Sequence, residues 1–230
     1  MCGRFLTPDE AAFERHWQLA PPEGYRQSFN VAPTQPAAII RKRRDGSRVA
    51  ALFTWGFRPQ WANRHWINAR AETVFTSAAF KRAAAVQRCL VPAAGWYEWQ
   101  GDTQPKVPYV HYRDGFAPIA FAGIWTGTGR AEEPGSTRSF AILTGPAAPS
   151  VAFVHDRMPV VLDPAHYDVW LDPASAREDL ERVLKAPAGA FASRRISTYV
   201  NKPAHDDPAC IEPFDDPKEV SDPHFPKNGV

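Results

Sequence analysis

The sequence predicts an α+β fold with a mostly antiparallel, β-barrel-like core and peripheral helices, and three observations carry that expectation. Two Asp-Gly pairs, Asp45-Gly46 and Asp114-Gly115, each sit between β-favouring apolar runs, the signature of hairpin turns. Further short β-type runs recur along the chain. They do not alternate with helical segments as a doubly wound parallel sheet requires.

The elements follow in order. Thr7-Pro8-Asp9-Glu10 reads as a capping box with proline at the first helical position, and Phe13, Trp17 and Ala20 recur at helical spacing behind it. The first hairpin joins Ala37–Ile40 to Val49–Phe53, and the second joins Tyr109–Tyr112 to Ile119–Ile124. Strands are also expected at Arg88–Val91, Gly95–Trp99, Ser139–Thr144, Pro159–Leu162 and Arg195–Val200. Helices are expected at Ser77–Ala85, after Asp163-Pro164 and after Asp172-Pro173, where each aspartate offers an N-cap and each proline a first-turn residue. The last thirty residues carry six prolines and many charges, which predicts an extended or partly disordered end. The expected division is one domain over residues 2–213 and an extended tail over 214–230.

A chain of 230 residues that is 44% hydrophobic can bury one substantial core. No run of about 18 apolar residues occurs, and Met1-Cys2-Gly3-Arg4-Phe5 leads into polar sequence without a signal-peptide core, so a soluble, cytoplasmic protein with no membrane partner is expected. Three cysteines, Cys2, Cys89 and Cys210, with no CxxC pair, argue for reduced thiols and against a disulfide framework or a zinc site. Net charge is +2, yet residues 201–230 hold seven acids against three lysines, which leaves +6 on residues 1–200. A modest basic excess suits a polyanionic partner without proving one.

Four places could carry chemistry. Cys2 becomes the first residue if Met1 is removed; an N-terminal cysteine then offers an amine and a thiol that can close a five-membered thiazolidine ring on an aldehyde. With ordinary pKa values of roughly 7.7–8.0 and about 8.5, both are partly in their reactive forms near neutral pH. Trp55–Trp61 and Trp66–Thr73 interleave tryptophan with arginine, as grooves for single-stranded nucleic acid do, although a buried aromatic cluster with Arg70 paired to Glu72 fits the same residues. Glu98, in Gly95-Trp96-Tyr97-Glu98-Trp99, shares a strand face with Trp96, where desolvation would raise its pKa toward the range useful for proton transfer; a satisfied structural carboxylate is the alternative. His155, in His155-Asp156-Arg157-Met158-Pro159, can shuttle a proton while Asp156 or Arg157 holds its loop, or can be a capping residue.

Met1–Phe5, Phe29–Gln35, Trp55-Gly56, Asn68–Thr73, Arg88–Pro92, Gly95–Trp99, Ala122–Trp125 and His155–Pro159, in that order, resemble the SOS response-associated peptidase (SRAP) family over most of residues 2–213. The resemblance implies a barrel-like core carrying a basic groove for single-stranded DNA with Cys2 in it, and no cofactor. It implies that Cys2 links to a ring-opened abasic deoxyribose, that Asn68 hydrogen-bonds the sugar or the N-terminal group, that Glu98 shuttles protons, and that His155 serves Schiff-base formation, strand scission and adduct reversal. Arg4 and Arg70 are the implied phosphate contacts, Asn30 and Pro33 the implied lining of the DNA path, and Trp61 an aromatic beside the bases. Thr144 is a further site candidate. Two departures stand out: Ala62 replaces a second tryptophan found in some members, and Pro146 to Pro149 lack the asparagine or aspartate that often follows the threonine turn.

The expected partner is single-stranded DNA containing abasic sites, with replication-fork junctions as one setting, and the protein is expected to act as a monomer. A cysteine-type peptidase with Cys2 as nucleophile and His155 as base is one alternative, though no oxyanion hole is announced. A non-catalytic single-strand binding module, in which Cys2 has no role, is the other.

Overall fold

The computed structural model describes residues 2–101, 106–127 and 138–214. Strand β1 (Arg4–Leu6) leads to helix α1 (Glu10–Trp17). The cap falls two residues later than the sequence suggests: the Asp9 carboxylate accepts the Ala12 N–H at 2.7 Å, while Thr7 is engaged across the chain, its hydroxyl accepting the Ser28 N–H at 2.8 Å. Gln18, in the left-handed region at φ 51°, ends the helix, which leaves Ala20 outside it and exposed.

Strands β2 (Pro36–Lys42) and β3 (Arg48–Trp55) form the first expected hairpin, in register from Lys42↔Arg48 to Pro36↔Thr54, with Gly46 at φ 87° in the turn. Then come β4 (Asn68–Arg70), α2 (Lys81–Val86), β5 (Arg88–Ala93), β6 (Gly95–Gln100), β7 (Val107–Tyr112), β8 (Ile119–Gly127) and β9 (Arg138–Pro146). Helix α2 is shorter than expected because residues 77–80 form turns. The second expected hairpin is absent. Strand β7 gives its edges to β6 and β12 (Ala192–Arg195), and β8 gives its edges to β5, β9 and β11 (Val161–Leu162), so the Asp114-Gly115 turn carries the chain from one sheet to the other.

The run Pro159–Leu162 splits at Val160. Its N–H bonds the Leu143 carbonyl and its own carbonyl accepts the Ala122 N–H, which leaves β10 (Arg157–Pro159) on β9 and sends β11 to β8. Asp163 caps a 3-10 turn leading into α3 (Tyr167–Leu171), as expected. Asp172 accepts the Ala174 N–H at 2.9 Å but closes only a local turn, and α4 (Arg177–Lys185) begins later. The strand expected over Arg195–Val200 ends at Arg195, where Ser197 caps a 3-10 turn over Thr198–Asn201. Residues 201–214 are not the extended chain their composition suggests: Pro208–Ile211 is a second 3-10 turn with Cys210 buried. The expected tail lies, from residue 215 onward, outside the described residues.

The larger sheet closes into a ring in the order β9-β3-β2-β5-β8-β9, antiparallel except where β3 and β4 run parallel to β9. The smaller sheet runs β1-β6-β7-β12. Period-two alternation sorts the core. Ala38, Ile40, Leu90 and Ala122 face the helices with Phe13, Trp170 and Leu180. Ala37, Ile39, Val91 and Phe121 fill the ring interior, where Phe5 and Trp96 of the smaller sheet, and Cys2 just ahead of it, join them. Leu6, Tyr97 and Val110 pack on Ile196, Val200 and Cys210. The interior is full at Gly123, where a Cβ would lie 2.8 Å from Cys89 Sγ.

Helices α2 and α3 are tied down by one buried cation. The Arg88 guanidinium donates to the carbonyls of Ala84 at 2.8 Å, Ala85, Trp170 at 2.6 Å and Asp172, so it satisfies both helix C-termini at once. Burial pulls its pKa down to about 10, which leaves it charged at neutral pH. Arg88→Met keeps the volume but strands these carbonyls, and a loss of about 3–5 kcal/mol is expected from the urea midpoint. A loss under about 1 kcal/mol would show that water replaces the guanidinium there.

Candidate active site

Strand β9 holds the site together. Along its first half β3 and β8 pair with it; along its second half β4 and β10 take their places, with Asn68↔Ile142 and Arg70↔Thr144 on one edge and Arg157↔Pro146 and Pro159↔Thr144 on the other. Asn68, Arg70, Thr144 and Arg157 are thereby fixed on neighbouring strands. The Trp55 indole N–H, bonded to the Ile67 carbonyl at 2.9 Å, fixes the approach to Asn68.

Cys2 is fully buried at the head of β1, in the ring-interior cluster. Asn68 Nδ2 donates to the Cys2 carbonyl at 2.7 Å, while Asn68 Oδ1 is buried without a hydrogen-bond partner. A buried amide acceptor left open is rare enough to call for a reason. Burial pushes the Cys2 thiol well above its ordinary pKa, and the negative charge of Glu98 adds to the rise. Glu98 is itself buried on β6, on the same strand face as Trp96, as alternation predicts. Desolvation there pushes its pKa up to about 7, where it can both hold and release a proton near neutral pH.

His155 stands at the rim, about a third exposed, with Nδ1 facing the Arg157 N–H at 3.0 Å and the Asp156 carboxylate at 2.9 Å. Burial lowers its pKa from the ordinary value. Its loop is braced from two sides. Gln100 donates to the Phe153 carbonyl at 3.0 Å, and Arg157 forks onto the Glu72 carboxylate at 2.8 and 3.0 Å while also donating to the Thr144 carbonyl at 2.7 Å. Glu72 therefore pairs with Arg157 and not with Arg70, which stays exposed. The sequence names Arg157 as a residue that holds the His155 loop, but not its partner Glu72, which lies 85 residues away.

The remaining candidates lie elsewhere. Arg4 points away from the ring interior and spends its donors on Asn30 Oδ1 at 2.8 Å, the Val200 carbonyl at 3.0 Å and the Asn201 carbonyl at 3.1 Å. Asn30 is buried, and its Nδ2 reaches the carbonyls of Val200, Lys202 and His205. Asp206 closes the clasp by accepting the Phe29 and Asn30 N–H groups at 2.6 and 3.1 Å. Pro33 is half-buried in a tight turn that includes Thr34 at φ 71°. Trp61 is 68% exposed on a loop, tilted against Trp66 at 6.0 Å.

Glu98 makes the fold sensitive to pH. Its folded pKa of about 7 exceeds the ordinary value near 4.3, so folding favours the protonated form. The contribution is complete below about pH 4 and is lost as the pH rises through 7, by about 3–4 kcal/mol. Glu98→Gln should therefore gain stability relative to the parent between pH 5 and pH 8 in parallel denaturant titrations. Two profiles that stay parallel over that span would refute the shift.

Comparison with known proteins agrees with this construction. The family model for SOS response associated peptidase (SRAP) matches residues 1–203. The chain is 32% identical over 232 residues to abasic site processing protein YoaM of Bacillus subtilis (strain 168), covering 92% of this chain and 98% of that protein. It is 29% identical to abasic site processing protein YedK of Escherichia coli (strain K12), covering 80% and 84%. Among solved structures, a phage-related protein of Bordetella bronchiseptica aligns with a TM-score of 0.68 at 30% identity, covering 85% of this chain and 94% of that one. A protein of Bacteroides thetaiotaomicron shares the fold with a TM-score of 0.79 at 19% identity, over 93% and 100%. With the family model spanning most of its length and a near full-length relative above 30% identity, the chain belongs to the SOS response associated peptidase (SRAP) family.

Proposed function

We propose that this protein captures abasic sites in single-stranded DNA as a covalent adduct on Cys2. The observation that carries the reading is the placement of Cys2: its backbone is held by Asn68, and a carboxyl that titrates near neutrality lies close by. The names of the relatives, abasic site processing proteins, supply the substrate.

Removal of Met1 frees the Cys2 amine. The amine nitrogen attacks C1 of the ring-opened sugar aldehyde to give a carbinolamine, and protonated Glu98 gives a proton to the departing hydroxyl, which leaves as water. The thiol sulfur then adds to the imine carbon. Its proton goes to the Glu98 carboxylate and restores the acid, while the nitrogen keeps the hydrogen it carried in the protonated imine, so the thiazolidine closes with no net change at the carboxyl. Loss of a C2 proton from the imine would instead cleave the strand, so ring closure by sulfur protects the DNA. The open Oδ1 of Asn68 is an acceptor for the amine or a sugar hydroxyl. His155, at the rim, is suited to proton exchange during scission or reversal. Holding amine, thiol and aldehyde together lowers the barrier through proximity.

The raised thiol pKa favours amine-first attack over a cysteine-peptidase reading, which needs a ready thiolate beside a base. For strand contact, exposed Arg70 and Trp61 are better placed than Arg4 and Asn30, whose donors the protein itself uses.

Untagged protein lacking Met1, mixed with single-stranded DNA bearing one abasic site, should give an adduct that survives heat and denaturing electrophoresis, with an intact mass equal to protein plus DNA minus water. Cys2→Ala should lose the stable adduct while retaining strand cleavage through its amine. Equal adduct yields from both proteins would overturn the proposal. Glu98→Gln should slow trapping by about 100-fold or more and flatten its pH dependence near 7, with DNA affinity little changed; an unaltered rate would remove Glu98 from the mechanism.

A further inference from the structure

Of the large apolar side chains exposed among the described residues, four carry rings, Trp61, Phe153, Tyr199 and Phe214, and what touches each ring separates them. Tyr199 lies flat on His205 at 3.7 Å, and Phe214 lies under the Arg195 guanidinium at 4.8 Å, so both rings have a face covered from within the protein. Trp61 tilts against Trp66 on the loop ahead of β4. Phe153 meets the Tyr109 ring edge to face at 5.5 Å and still leaves 53% of its surface to water. Its ring is clamped without being covered.

The fold puts Phe153 beside the reaction centre. Tyr109 stands on β7 directly opposite Glu98 on β6, where paired side chains share a face about 5 Å apart. Gln100, two residues along β6 on that same face, donates to the Phe153 carbonyl at 3.0 Å. Two residues later the chain reaches His155. Both the ring and the backbone of Phe153 are thus fixed by the pair of strands that carries Glu98. Cys2 lies between two walls: Asn68 of β4 holds its carbonyl, and β6 pairs with β1, the strand that Cys2 leads into. Arg70 belongs to the β4 wall and Phe153 to the β6 wall, so a strand whose sugar sits at Cys2 meets them on different flanks.

Bases in a single strand stack on their neighbours. An abasic sugar has lost its base, so the base on either side of it keeps one face without a partner. A phenylalanine ring offers that face the contact a neighbouring base would have made, whatever the identity of the base.

We propose that Phe153 is a stacking platform for the base next to the abasic sugar, on the flank away from Arg70, where its ring takes the place of the missing base. This deepens the function proposed above and rests on it. Capture then favours an abasic sugar with an intact nucleotide on that flank over one at a strand end or beside a second lesion.

The test uses the full chain lacking Met1, as the parent and as Phe153→Ala, Phe153→Leu and Phe153→Trp, each of which changes only an exposed side chain. Three short strands carry a reactive abasic site at the centre. One has adenine on both sides of it; in each of the others, one adjacent nucleotide is tetrahydrofuran, an unreactive sugar without a base. On the all-base strand Phe153→Ala and Phe153→Leu should raise the half-saturating concentration for trapping about 5–100-fold, while the rate at saturation stays parental and Phe153→Trp matches the parent throughout. Tetrahydrofuran on one flank, and not on the other, should weaken the parent by the same factor and leave Phe153→Ala with no further loss.

If Phe153→Ala matches the parent on the all-base strand, the platform is overturned. Equal losses on all three strands overturn it too, because the ring then acts on its own loop and not on a base. A fall in the saturated rate with half-saturation unchanged does the same, since it marks a role in placing His155. Parental behaviour from Phe153→Leu rules out stacking in favour of simple apolar cover. A parent that forms no adduct refutes the function proposed above; binding of the same strands with tetrahydrofuran at the centre, read by fluorescence anisotropy, still decides whether Phe153 engages a base.

Discussion

The ladder between β8 and β9 closes the larger sheet, and the rest of the molecule is arranged by that closure. Once the ring is shut, each of its strands has an inner and an outer row, and the sequence must supply apolar residues to both. The outer row is covered by the helices and the inner row by the rings of Phe5, Trp55, Trp96, Phe121 and Phe140. Strand β9 extends past its pairing with β8, and β4 and β10 attach to the part left over. The site is built on strands that complete the fold, and so it inherits their rigidity.

Rigidity of this kind has an electrostatic cost. Cys2 and Glu98 are both out of water, and the negative charge of Glu98 makes the Cys2 thiolate less favourable still. A buried pair that resists ionisation contributes little to stability at neutral pH. It is well suited to a reaction that moves protons between neutral partners, since a carboxyl held near pH 7 can donate in one step and accept in the next. The brace of Glu72, Arg157 and Thr144 lies beside this centre and is fully charged, so it supplies the fixed geometry that the titrating groups do not.

Much of the fold was legible because short-range signals agreed with it. Gly46 and its flanking runs specified a hairpin, Asp163 specified a capped turn, and the strands at Arg88, Gly95 and Ser139 followed from β-favouring composition. What sequence could not settle was partnership. The Asp114-Gly115 turn looks like that of a hairpin, but strand edges already claimed by β6, β5 and β9 decide where β7 and β8 go. Composition likewise misread residues 201–214, whose prolines and charges serve 3-10 turns anchored by Asn30. At the site, Cys2, Asn68, Glu98 and His155 were named from sequence. The bracing pair was not, because nothing local couples Glu72 to Arg157.

The clasp between Arg4, Asn30 and residues 200–206 bears on how the molecule is made. Strand β1 takes β6 as its ladder partner, and Arg4 finds its acceptors at Val200 and Asn201, near the end of the described chain. On a ribosome, the first residues emerge long before those partners exist. At ordinary elongation speeds the interval is about 10–40 seconds for some two hundred residues. During that time Cys2 is not yet enclosed by the ring that buries it in the folded protein. If Met1 is removed, as the proposed function requires, the order of synthesis gives the aminopeptidase its access before folding closes over Cys2.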